Sequence, residues 1–169
     1  MRKSSLFLLC IISGLALTSF SRAQQPPVAG PATAAADPGA TPAYGLPITL
    51  SQAEKVLNAA KAEAVRLKST VNAIAVVDTH GELVAFERMD ESTFHSVQYA
   101  QVKASGAARL RRATATPPPE MAAALTAMPD FVSMPGGVPI VVDGKTVGAI
   151  GVSGGNDLII AKAGAAALQ

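Results

Sequence analysis

The sequence predicts an α+β layer fold, an antiparallel sheet with helices packed on it. Three observations carry this. Two hairpin turn signals stand far apart in the chain, Asp78-Thr79-His80-Gly81 and Asp143-Gly144. Each is flanked by runs rich in β-branched residues. Around them lie stretches whose apolar residues recur at helical spacing. The resulting order is helix, hairpin, helix, short helix, hairpin, helix, which brings hairpins from separated parts of the chain into one sheet.

The 169 residues suit one folded domain. With 49% apolar and 15% charged residues and no Trp, the chain is not a disordered polyampholyte, and its core must be built from Ala, Val, Leu and Ile. The opening residues are an address. Met1-Arg2-Lys3 is basic, and Leu6 to Leu17 is apolar but short for a membrane span. Ser21 and Ala23 place small residues at the −3 and −1 positions of a cleavage site before Gln24. Residues 1–23 therefore read as a secretory signal peptide, and the expected location is periplasmic or secreted, with no membrane span after cleavage. Lipid attachment at Cys10 would want a small residue before it, and Leu9 is not small. Cys10 is the only cysteine, so the remainder has no disulfide and no thiolate metal site. Removing Arg2, Lys3 and Arg22 leaves 11 basic and 12 acidic residues, a balance that argues against nucleic-acid binding by phosphate neutralisation.

Residues 24–45 are rich in Pro, Ala and Gly without apolar periodicity and read as a flexible tether. The folded domain is expected over 46–169. Ser51-Gln52-Ala53-Glu54 fits a capping box, and Val56, Leu57, Ala60, Ala64 and Leu67 form an apolar stripe behind it, giving a helix from about Ser51 to Lys68. Val71 to Val77 is apolar on both alternating faces, as in a covered central strand. Asp78 to Gly81 turns the chain, and Glu82 to Met89 returns as the second strand. Ser92 or Thr93 caps a helix from about Phe94 to Arg111, which Pro117-Pro118-Pro119 terminates. Glu120 to Met128 is a short helix introduced by Pro119. Met134 to Pro139 is a loop, Ile140 to Val142 the third strand, and Thr146 to Val152 the fourth. Asn156 or Asp157 caps a last helix to Leu168.

Several residues are candidates for chemistry. Gly136 and Gly137 sit between prolines, Gly148 and Gly151 lie inside a strand, and Gly154-Gly155 leads into a helix N-terminus. Glycines in a strand mark close approach of a ligand or of another backbone, and both readings stand. Gly151-Val152-Ser153-Gly154-Gly155 has the form of a nucleophile elbow, but no histidine follows Ser153 to serve as base. Gly144-Lys145-Thr146 lacks the glycine spacing of a phosphate loop. His80 falls in a turn and reads as exposed. His95 opens the second helix, where a neutral ring nitrogen can face a cleft and bind iron, or where it is a plain surface residue. Tyr99 lies on the same side of that helix and can pack against a ring. Met89, Met128 and Met134 are soft donors that are ordinarily core residues. Lys103, Arg109, Arg111 and Arg112 make the later part of the helix basic; they either offset its dipole or hold a carboxylate.

Taken together, certain runs resemble the GlcG/HbpS-like haem-binding or haem-degrading family, related to the C-terminal domain of PduO-type proteins. They are Ile48 to Ala53, Ala75 to Asp78, Gly81 to Ala85, Arg88-Met89-Asp90, Ser96-Val97, Ala100, Lys103-Ala104, Pro135 to Ile140 and Gly148 to Gly154. The resemblance implies a profilin-like antiparallel sheet of about five strands with packed helices, and assembly into homo-oligomers. It also implies haem as ligand, with haem degradation or partnership with a membrane sensor protein in some members. Two features depart from the family: the acidic stretch after Gly155 is reduced to Asn156-Asp157, and His80 stands where relatives often have a small residue.

The leading expectation is an exported haem-binding protein, serving haem uptake, storage or sensing. His95 would hold the iron, Tyr99 and Met134 would lie beside it, and Lys103 or Arg109 would hold the propionates. Gly136, Gly137, Gly151 and Ser153 would line the vacancy. A different class of reading is an enzyme acting on a small organic acid, with Lys103 in the pocket as base or clamp. A third is an oligomeric interaction module for a membrane sensor, its pocket filled by side chains.

Overall fold

The computed structural model describes residues 40–127 and 131–169. The expected signal peptide, most of the expected tether, and Met128, both as a soft donor and as the end of the short helix, lie outside the described residues. The elements are β1 (Ala43–Tyr44), α1 (Leu50–Arg66), β2 (Ala73–Asp78), β3 (Leu83–Arg88), α2 (Phe94–Leu110), α3 (Pro119–Thr126), β4 (Gly137–Val142), β5 (Lys145–Ser153) and α4 (Asp157–Ala165), closed by a 3-10 turn at Ala166–Leu168.

Among the described residues the fold is mixed α+β with a five-stranded sheet and four helices. Both expected hairpins are present: β2 pairs antiparallel with β3, and β4 with β5. They join where β2 runs antiparallel to β5, Ala73 opposite Ser153 and Asp78 opposite Gly148. Strand β1 was not foreseen. It falls in the stretch read as tether and pairs parallel with β5, Ala43 with Lys145 and Tyr44 with Thr146. Two residues offer no alternation to detect. The strand is held instead by its neighbours: Tyr44 Oη donates to Arg109 O at 2.8 Å, Arg111 donates to Pro42 O, and the Arg111 guanidinium lies 4.7 Å over the Tyr44 ring.

The α1 cap is Thr49 rather than Ser51. Its hydroxyl accepts the Gln52 N–H while the Gln52 side chain accepts the Thr49 N–H. The choice is made by tertiary structure. Buried Ile48 donates its N–H to Val147 O, so the chain is held extended up to that point and turns into helix immediately afterwards. Helix α2 is capped by Thr93, whose hydroxyl accepts the Ser96 N–H, and ends on Arg111 in the left-handed conformation.

The sheet carries two different layers. On one face α1 and α4 pack with Val56, Leu57, Ile74, Val76, Ile150 and Ile160 among the buried side chains. On the other, α2 lies against Ala73, Ala75, Val77 and Ala149 through its own Ala100, Ala104, Ala107 and Ala108. Alternation along β2 and β5 sends successive residues to opposite layers.

Candidate functional site

Helix α2 positions most of the candidate residues. Thr93 fixes its start, so His95 falls in the first turn and Tyr99 one turn later. Their ring centroids are 4.0 Å apart at 40°, so the phenol ring packs on the imidazole. His95 is exposed and Tyr99 half-buried. A cleft of about 350 Å³ opens beside them, lined also by Val102, Phe131, Val132 and Met134. Its size lies within the range of small-molecule pockets. His95, Tyr99 and Met134, nearly forty residues apart in sequence, thus meet around one opening.

Lys103 is two turns further along α2 and only 1% exposed. Its Nζ donates to Asp157 Oδ2 at 2.7 Å and to Val152 O at 3.1 Å. It lines a second, wider opening of about 610 Å³ with Met134, Ser153, Gly155 and Asp157. Met134 therefore borders both openings. Arg109 lies elsewhere, in a depression with Gly81, Glu82 and Ser105, and donates to His80 O at 3.3 Å. The expectation that Lys103 or Arg109 sits beside His95 to hold propionates is corrected on both counts: one is engaged by Asp157, the other borders a separate depression.

The glycines also require correction. A methyl group on Gly151 would lie 2.0 Å from Ala100 O and 2.4 Å from Ala104 N. One on Gly137 would lie 2.2 Å from Lys103 O. These two glycines face each other across the β4–β5 ladder, and the α2 backbone crosses directly over them. Gly136, at φ +125°, meets Val152 O and the Asp157 side chain instead. The expected vacancy is filled by helix, and of the two readings of these glycines the close approach of another backbone holds.

His80 is exposed as expected, its side chain 76% accessible, with Nδ1 3.6 Å from Asp78 Oδ2. Asp78 Oδ1 accepts the N–H groups of His80 and Glu82 and ties the turn. Burial pushes the Asp78 carboxyl up, but those hydrogen bonds and the neighbouring imidazole outweigh it and hold it below the usual carboxylate value. Sequence reasoning missed Asp157 as the partner of Lys103, since 54 residues separate them and the carboxylate read as a helix cap. It also missed Phe131 and Val132, the apolar wall opposite α2.

The donor set of the first cleft fits the iron end of a haem. His95 offers an imidazole nitrogen, Met134 a thioether and Tyr99 a phenol, on walls formed by Val102, Phe131 and Val132. It does not supply a cation for the propionates, which would have to face solvent.

The family model described as "Haem degrading protein HbpS-like" matches residues 48–166. The chain belongs to the HbpS-like family. Protein GlcG of Escherichia coli K12 is 40% identical over 111 residues, covering 63% of this chain and 82% of GlcG. Among solved structures, a double mutant of Streptomyces reticuli HbpS superposes with a TM-score of 0.66 at 31% identity, over 85% of this chain and 99% of HbpS. PduOC in its haem complex shares the fold, with a TM-score of 0.62 at 24% identity over 73% of this chain and 96% of PduOC. The profilin-like layer expected from the resemblance is thus the fold of this HbpS-like chain.

Proposed function

We propose that this HbpS-like protein is an exported haem-binding protein. Haem enters the cleft between α2 and the Phe131–Met134 segment, and His95 provides the iron ligand. The observation that carries the proposal is the convergence of His95, Tyr99 and Met134 on one cleft, whose lining also includes apolar Val102, Phe131 and Val132 and polar Gln98 and Ser133. The family description, and the haem complex of the structurally similar PduOC, support the choice of ligand. When bound, the haem iron would supply the redox and ligand chemistry. The chain's own part would be to offer Phe131 and Val132 as apolar contacts for the macrocycle and to keep the His95 imidazole oriented through its packing on Tyr99.

Export rests on residues 1–23, and cell fractionation would test it. Degradation of the bound haem, self-association and docking to a membrane sensor belong to the same proposal and rest on the family alone.

Haemin titration followed at the Soret band tests the site. The full chain is expected to shift the band saturably. His95→Ala should weaken binding about tenfold or more, the scale of losing one good ligand interaction, and change the ligand-dependent spectrum. Met134→Leu, which keeps an apolar side chain of similar size, should leave haemin affinity within a few-fold. An unchanged spectrum and affinity in His95→Ala would remove His95 from the iron; absence of any shift in the wild type would remove haem.

A further inference from the structure

Among the described residues, helix α3 buries none of its side chains. It is 8 residues long, and no side chain caps its start. Isolated helices of that length are marginal in water, and helices in proteins owe most of their stability to a packed apolar face. The single chain gives α3 no such support. Yet the helix is built for contact. Five successive apolar residues, Met121 to Leu125, cover every side of it, and Met121 is 50% exposed. A helix that is apolar all round belongs in an interior.

Beside it runs a groove of about 270 Å³, lined by Leu110, Pro117, Phe131 and Val132, with Met121 and Leu125 among its other walls. Phe131 and Val132 also line the cleft beside His95, so whatever fills the groove bears on the wall of that cleft.

Two charges complete the surface. Arg112 lines the groove, is exposed, and makes no ion pair or hydrogen bond among the described residues. Glu120, in the first turn of α3, is exposed and likewise without one. One chain therefore presents an apolar helix with an unpaired anion and an apolar groove with an unpaired cation. In a two-fold contact each of these meets the other, twice over. A lipid surface would call for cations on the helix, and α3 has none.

We propose that α3 and its groove form a self-association surface for a second copy of this chain. The partner's Met121 enters the groove, and the partner's Glu120 meets Arg112. Ala122, Ala123 and Ala124 let the two α3 helices approach closely. The second copy braces Phe131 and Val132, so association completes the apolar wall of the first cleft. That brace rests on the reading of the cleft as a haem site; the association rests on α3, the groove and the two charges.

Sedimentation of the full chain over a range of concentrations tests the surface. Association should be reversible and concentration-dependent, as for a contact at the small end of protein interfaces. Met121→Asp alters an exposed side chain and should weaken association about tenfold or more, because it places an unpaired charge in an apolar groove. Arg112→Glu and Glu120→Arg should each weaken it about fivefold to tenfold, since two-fold symmetry sets two like-charge pairs in every dimer. The two reversals combined should return it to within about threefold of wild type. Sedimentation as a monomer at every concentration would leave the groove to a different polypeptide and overturn the proposal. An assembly indifferent to Met121→Asp and to the charge reversals overturns it too, since the chain then associates elsewhere. At a concentration where the wild type is associated, Met121→Asp should bind haemin about threefold more weakly or worse. Unchanged haemin affinity in the dissociated variant removes the brace. No Soret shift in the wild type removes the haem reading, and sedimentation still decides the surface.

Discussion

The two faces of the sheet are built on different scales. Towards α1 and α4 the strands present Ile74, Val76, Ile140, Ile150 and Val152, a layer of branched side chains. Towards α2 the same strands present Ala73, Ala75, Ala149, Gly137 and Gly151. Hydrophobic burial per residue is larger on the first face. On the second, small residues let a helix backbone lie on a strand backbone. That close seam has a consequence for the site. With its middle pressed onto Gly137 and Gly151, α2 has little freedom to shift, and the ends of the seam become fixed platforms. His95 and Tyr99 stand on the N-terminal platform, and Lys103 reaches Asp157 from the seam itself. The branched layer supplies stability, and the alanine–glycine layer supplies position.

Single carbons added to one layer and removed from the other should sharpen this contrast. The largest effect is expected for Gly151→Ala. Its new methyl group meets backbone atoms of α2 at 2.0 and 2.4 Å, which no rotamer can relieve. Overpacking against backbone should cost about 3 kcal/mol or more. Urea denaturation would measure it, and haemin affinity should fall as α2 is lifted. A loss below about 1 kcal/mol would mean that α2 rides loosely on the sheet. The counterpart is Ile150→Val, one residue earlier and on the opposite face. It removes the methyl that lies over Gly164 of α4 and should cost about 1 kcal/mol, with haemin binding unchanged.

Much of this architecture was legible in the chain because it depends on local chemistry. The β-branched runs around Asp78 and Asp143 announce two hairpins, and the stripe from Val56 to Ala64 announces α1. What depends on distant partners was not legible. Thr49 and Ser51 carry the same hydroxyl, and only the bond from Ile48 to Val147 selects Thr49. β1 exists because Tyr44 and Pro42 meet the end of α2. At the candidate site, the i, i+4 spacing of His95 and Tyr99 gave their shared side, whereas Met134 and Phe131 arrive from a loop whose path no local signal fixes. The glycines were visible as missing side chains. Whether a ligand or a helix fills such a gap is a property of the packed fold, and here the helix does.

The smallest effect is expected at the turn that ends β2, the strand shared by both layers. Asp78 accepts two backbone N–H groups there and titrates below the ordinary carboxylate value of 3.8. A folded value below the unfolded one means that the stabilisation is complete above the ordinary value and is lost as pH falls through the lowered one. Asp78→Asn keeps an acceptor oxygen but not the charge, so at neutral pH it should cost about 0.5–1 kcal/mol. The difference from wild type should close as the solution is acidified below pH 3.8, which urea titrations at several pH values would follow. β2 sends Ile74 and Val76 to the branched layer and Ala75 and Val77 to the alanine layer. Amide exchange should therefore speed up equally in α1 and α2 when the turn is weakened. Acceleration confined to α2 would mean that the two layers open separately, and the thin layer would then owe its rigidity to the hairpin turn as much as to the glycine seam.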